Sequence, residues 1–182
     1  LGGANALRPA DWSAIPELKW MKANDTERYL GAYLGTTEAV SSHWESLVAK
    51  IQERANKWAR HHVSILARTF VSKSLLASCM WHMSQCMTTP PGVNKRIQQI
   101  IDNYVWGKQP RFMAFPEGCK PKKENGMGLM SVEAQAAAFN IKAITQLITP
   151  GVEKWKVLPN HWLNQAGAKW GLETKILTAK LT

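Results

Sequence analysis

Trp44, Leu47, Val48, Ile51, Ala55 and Trp58 fall at i, i+3, i+4, i+7, i+11 and i+14. That spacing is one apolar stripe of an amphipathic helix. Ser42, with Glu45 three residues later, has the pattern of a capping box and predicts the helix start there. Lys50, Arg54 and Lys57 form a basic stripe on one flank. A second helix is predicted from about Ser64 to Met87. Its apolar residues (Leu66, Phe70, Val71, Leu75, Leu76, Met80, Met83) cover a wide arc, as in a helix central to a bundle. Thr88-Thr89-Pro90-Pro91-Gly92 stops it. In the third helix Val93, Ile97, Ile100, Ile101, Tyr104 and Val105 make the stripe, and Lys95, Gln98, Gln99 and Asp102 are expected to face away. Gly107 and Pro110 close it.

Residues 108–130 read as a loop-rich segment with a short strand at Arg111–Phe115, followed by the basic run Lys120-Pro121-Lys122-Lys123. Ser131 can cap a fourth helix through Val132, Ala136, Phe139, Ala143, Ile144 and Leu147, ended by Pro150-Gly151. The remainder, with Trp155, Trp162 and Trp170, is expected to be partly helical and broken at Pro159. Before the first helix, residues 1–16 show no period. Leu18–Lys22 and Arg28–Leu34, separated by Asn24-Asp25-Thr26, read as a small β-hairpin with Gly31 as a kink and Gly35 as an exit. The expected fold is mainly α: a bundle of four to five helices behind a short β-hairpin. The predicted divisions are 1–36, 37–106 and 107–182.

Charge changes this picture from a generic bundle to one with a preferred partner. Residues 1–49 carry net −2, residues 50–123 net +10 and residues 124–182 net +2, within a total of +10 over 182 residues. A positive field concentrated in one segment favours a polyanion, nucleic acid before an anionic membrane surface. No apolar run approaches the roughly 18 residues that span a bilayer, and no basic segment leads an apolar one as in a signal peptide. Starting on Leu1, the chain reads as a piece of a longer protein. Three cysteines are too few for a disulfide scaffold and fit a reducing nuclear or cytoplasmic setting.

A two-metal polymerase or nuclease needs converging carboxylates, whereas Asp11, Asp25 and Asp102 are scattered. No glycine-rich phosphate loop or nucleophile elbow is present. The chain alone therefore has no expected catalytic residue, metal or cofactor. Cys79, His82 and Cys86 would share a helix face, and with Cys119 or His62 could hold zinc. Burial of two cysteines and a hydrogen-bonded histidine in a methionine-rich helix accounts for them better. Nine tryptophans could stack on bases, but Trp44 and Trp58 lie on the apolar stripe, where packing explains them. Lys50, Arg54, Lys57, Arg60, Arg68 and Lys73 are accompanied by a single acid, Glu53. Arg68 and Lys73 interrupt an otherwise apolar helix, where a charge is costly unless it meets a partner or water. These six are the expected phosphate contacts; a merely solvated face is the alternative.

The run Ser64-Ile65-Leu66-Ala67-Arg68-Thr69-Phe70-Val71-Ser72-Lys73-Ser74-Leu75-Leu76 resembles the thumb helix that follows the palm in LINE-type (non-LTR) retrotransposon reverse transcriptases. Arg28-Tyr29-Leu30-Gly31 looks like that family's primer-grip hairpin. Trp44 and Trp58 match tryptophans framing its first thumb helix, and Ile97 to Trp106-Gly107 its isoleucine-rich helix ending in Trp-Gly. Pro121-Lys122-Lys123-Glu124-Asn125-Gly126-Met127-Gly128-Leu129 resembles its lysine-then-double-glycine turn, with Asn125 where glycine is usual. Asn tolerates a left-handed backbone better than most residues, so the turn is expected to survive.

The resemblance spans about residues 18–148 and implies the end of a palm, a helical thumb and the start of a connector. It implies further that Tyr29, Leu30 and Gly31 shape the primer-grip turn. The implied partners are an RNA template, a DNA primer and the absent fingers and palm of the same polyprotein, with no membrane. Polymerase activity, and the Mg it uses, would belong to that parent. The alternative is a helical protein-interaction module, or a decayed element fragment, with no nucleic-acid binding of its own.

Overall fold

The computed structural model describes residues 25–168, save 30, 31, 36, 88, 108, 150 and 152. The fold is mainly helical behind a two-stranded hairpin, as the periodicity predicts. β1 (Glu27–Tyr29) pairs antiparallel with β2 (Ala32–Leu34) in the register Glu27–Leu34, Arg28–Tyr33, Tyr29–Ala32. This corrects the expected strand Arg28–Leu34: the chain doubles back within that stretch. Leu30 and Gly31, like the expected strand at Leu18–Lys22, lie outside the described residues. The hairpin is held to the first helix through His43, whose ring stacks on Tyr33 with centroids 3.4 Å apart and whose Nε2 shares a hydrogen bond with Thr26 Oγ1 at 3.0 Å.

α1 (Thr37–Ala59) starts more than a turn before Ser42, which lies inside the helix instead of capping it. Val40, buried four residues before Trp44, continues the apolar stripe backwards and explains the extension. α2 (Ile65–Val71), a π-helical stretch Ser72–Ala77 and α3 (Ser78–Cys86) follow one another without a break. Ser64 caps the start, its Oγ accepting from the Ala67 amide. α4 (Val93–Trp106) is bracketed by glycines with positive φ, Gly92 at 84° and Gly107 at 58°. Trp44 and Ile51 of α1, Leu76 and Met80 of the central helix, and Ile97, Ile101 and Val105 of α4 are all buried in one core.

The segment after α4 adds Met127, Leu129 and Val132 to that core. The strand expected at Arg111–Phe115 is absent; Pro116 instead opens α5 (Phe115–Cys119), where its fixed φ and missing N–H suit the first turn. α6 (Val132–Ile148) begins as predicted, Ser131 Oγ accepting from the Ala134 amide. The described residues up to Ala137 belong to one compact unit and those from Ala138 to another. In the second unit α7 (Val157–Ala168) runs through Pro159. The proline does not break this helix because it falls in the first turn, whose amides have no intrahelical acceptor. Lys156 is buried there, its Nζ donating to the Thr149 carbonyl at 2.7 Å and pairing with Glu153 at 2.7 Å. Among the described residues no helix is long and apolar enough to cross a membrane.

Candidate nucleic-acid interface

The π-helical stretch is the feature that arranges the basic residues. It coincides with the hydroxyl-rich run from Thr69 to Ser78, where side chains serve backbone carbonyls. Thr69 Oγ1 donates to Ile65, the buried Ser72 Oγ to Thr69 at 2.7 Å, and Ser78 Oγ to Ser74 at 2.6 Å. Such back-bonding loosens a helix and favours bends. The Leu75 carbonyl accepts from Cys79 Sγ at 3.3 Å and from Arg54 Nη1 of α1, also at 3.3 Å. Arg54 Nη1 lies 3.0 Å from Cys79 Sγ as well. Arg54, expected to face a phosphate, is thus turned inward and pins the widened turn to α1. Arg54→Met should keep the stem and lose that donor. The Leu75 carbonyl would keep the weak thiol donor and lose the charged one, and a hydrogen bond to a charged group contributes about 1.5–3 kcal/mol, which urea denaturation would read as a lower midpoint.

Arg68 and Lys73 leave the other side of the same helix. Arg68 is half-buried over the C-terminal end of α4: a Cβ placed on Gly107 would lie 2.6 Å from its guanidinium. A cation there meets the partial negative charge of the helix end. The adjacent Tyr104 hydroxyl is buried with no hydrogen-bond partner among the described residues. Burial pushes it above the usual phenol range, with Arg68 pulling it the other way. Lys73 reaches toward Gly128, where a Cβ would lie 3.3 Å from Nζ. Lys73 also bears on Cys119, whose thiol is raised by burial and by the charge of Asp102 while Lys73 lowers it. Asp102, expected to face away, is buried and accepts from Gln98 Nε2 at 2.9 Å and Arg111 Nη2 at 3.3 Å.

The remaining sequence-predicted residues stay on the surface. Lys50 and Arg60 are exposed, and Lys57 is exposed but pairs with Glu53 at 2.7 Å. Over residues 50–123 each of the three acids is taken: Glu53 by Lys57, Asp102 by Arg111, Glu117 by Lys120. Arg96 pairs with Glu45 in a bidentate fork. Lys50, Arg60, Arg68, Lys73, Lys95, Lys122 and Lys123 have no ion pair among the described residues. Of these, Lys50 is on α1 and Arg60 just past its end, Lys95 is on α4, and Arg68 and Lys73 run from the central helix to Gly107 and Gly128. Of the three residues expected to shape a primer-grip turn, Tyr29 is in β1.

Among the described residues no three His, Cys, Asp or Glu side chains gather to hold an ion. Cys79 and Cys119 are half-buried, and Cys86 and His82 are exposed. Asp25 and Asp102 do not converge, and Asp11 lies outside the described residues.

No family model matches the chain. It is 21% identical over 117 residues, 62% of its length, to a protein of Arabidopsis thaliana named as a ribonuclease H protein. It is 26% identical over 143 residues, 76% of its length, to the 149 kDa protein of the transposon TX1 of Xenopus laevis. The matched regions make up only 19% and 11% of those two proteins. The chain is thus similar to small portions of much longer proteins, one of them encoded by a transposon.

Proposed function

We propose that the chain is the thumb-like portion, following the palm, of a LINE-type retrotransposon reverse transcriptase. Its role is to hold the RNA template–DNA primer hybrid while the fingers and palm of the parent protein polymerise. The observation that carries this reading is the charge balance around the central helix. Every acid of residues 50–123 is neutralised within the chain, leaving Lys50, Arg60, Arg68 and Lys73 for an external anion. The similarity to a transposon protein supports the family, and the order of motifs along residues 18–148 supports the thumb. An A-form-like hybrid offers a wide, shallow minor groove flanked by phosphates, which suits a helix making shape and backbone contacts. The ridge beside Lys73 fits such a surface: Leu66 and Phe70, four residues apart on α2, are 45% and 71% exposed.

The test is binding of the chain to a labelled RNA–DNA hybrid across a salt series. Affinity should be indifferent to sequence and fall steeply with salt. Arg68→Ala/Lys73→Ala should flatten the log–log salt slope by roughly 2, about 0.9 per lost phosphate contact. Because Arg68 packs on the end of α4, Lys50→Ala/Arg60→Ala serves as a second variant whose side chains are exposed. No binding by the folded chain at low salt would overturn the reading. It would favour a docking module, for which the exposed Ile141, Ile144 and Ile148 of α6 speak.

A further inference from the structure

The turn between α5 and α6 is built more rigidly than a connector requires. The Gly118 carbonyl accepts from the amides of Met127 and Leu129, at 3.2 and 2.8 Å, and the Lys120 carbonyl from that of Gly128 at 2.9 Å. The Pro121 carbonyl accepts from the amides of Glu124 and Gly126, at 2.9 and 3.1 Å, around the short 3₁₀ turn Lys122–Glu124. Asn125 has φ 61° and Gly128 φ 66°, so two left-handed residues fix the corner. Lys122 and Lys123 stand exposed on it without an ion pair among the described residues, while Lys120 beside them is tied to Glu117. Lys73 arrives at the same corner from the π-helical stretch: its Nζ lies against the bare Cα of Gly128, whose amide is bonded to Lys120. Lys73 is half-buried and forms no ion pair or hydrogen bond among the described residues, and an ammonium so placed is costly unless water or an anion meets it.

We propose that Lys73, Lys122 and Lys123 form one phosphate-binding corner, a second grip on the sugar–phosphate backbone of the RNA–DNA hybrid. Gly128, with no side chain, leaves room for the Lys73 ammonium beside the turn that carries Lys122 and Lys123, and Gly126 lets that turn close on the Lys120 backbone. The ligand class is a nucleic-acid backbone because the rigid turn sets two exposed lysines against a single exposed acid, Glu124. The inference rests on the hybrid-binding reading and extends the grip beyond α1 and the central helix to the turn.

The experiment titrates the whole chain with a fluorescein-labelled RNA–DNA hybrid at several salt concentrations. Lys122→Ala/Lys123→Ala is compared with a control of equal charge change, Lys142→Ala/Lys154→Ala, whose exposed lysines lie in the second unit. The turn variant should flatten the log–log salt slope by about 1.8, two contacts at ~0.9 each, and weaken binding about tenfold or more at 0.1 M salt. The control should shift the slope by far less. Equal effects of the two variants would overturn the corner while leaving hybrid binding intact, since the loss would then be one of overall charge. Absence of binding by the unaltered chain would overturn hybrid binding and the corner together.

Discussion

Replacing Trp44 with alanine is expected to destabilise the first unit by about 3–5 kcal/mol, the range for deleting a fully buried large aromatic side chain. Trp44 is 0% exposed and shares the core with Ile51, Leu76, Ile97 and Ile101. The loss has two parts, the transfer free energy of the indole and the cavity left among side chains fixed on several helices. Small domains have total stabilities of about 5–15 kcal/mol, so the alanine variant should be partly unfolded under mild conditions. Trp44→Phe separates volume from polarity. The indole N–H is buried without a hydrogen-bond partner among the described residues, and such a group carries a desolvation penalty of about 1–3 kcal/mol. Phenylalanine removes that penalty while giving up part of the volume, so it should cost much less than alanine. Urea denaturation of the three proteins checks this. A phenylalanine variant as unstable as the alanine one would mean that the N–H is satisfied in solution.

Trp44 also marks how far the sequence alone could be read. Its stripe through Ile51, Ala55 and Trp58 is a local repeat, and so is the isoleucine stripe of α4, and both helices stand where the period puts them. The start of α1 was misplaced because Ser42 and Glu45 carry a capping pattern that the burial of Val40 outweighs. The π-helical stretch was not legible, because the partner of the Leu75 carbonyl is Arg54, far away along the chain. The same holds for Asp102, a polar residue that becomes a core residue only because Gln98 and Arg111 satisfy it. Arg111 to Phe115 is apolar enough to read as a strand, yet the stretch pairs with no strand and Pro116 starts a helical turn at its end. Among the basic residues, position on a helix was readable. Direction was not: Arg54 donates to the Leu75 carbonyl and Arg68 packs against Gly107, while Lys122 and Lys123 stay exposed.

The corner that presents those two lysines depends on Gly126, and Gly126→Ala should be the most damaging substitution outside the core. A Cβ at this position would overlap the backbone carbonyl of Lys120. The obstacle is main chain, so no rotamer change relieves it, and that carbonyl is itself the acceptor for the Gly128 amide. The turn must open, which breaks the bond from Gly128 and strains those from Gly126 and Met127. With about 1 kcal/mol lost per hydrogen bond and about 1–3 kcal/mol for overpacking, the expected cost is about 3 kcal/mol. Asn125→Gly provides the contrast at the neighbouring position. Glycine adopts a φ of 61° without penalty, so this variant should fold as well as the parent sequence and leave the lysines in place. Thermal denaturation, together with hybrid binding at fixed salt, reads both consequences. Gly126→Ala should lower the melting temperature and lose the salt dependence contributed by Lys122 and Lys123, whereas Asn125→Gly should change neither. A Gly126→Ala protein that melts normally would show that the turn relaxes around the new methyl group. If that protein also bound normally, a rigid corner would not be what holds the two lysines.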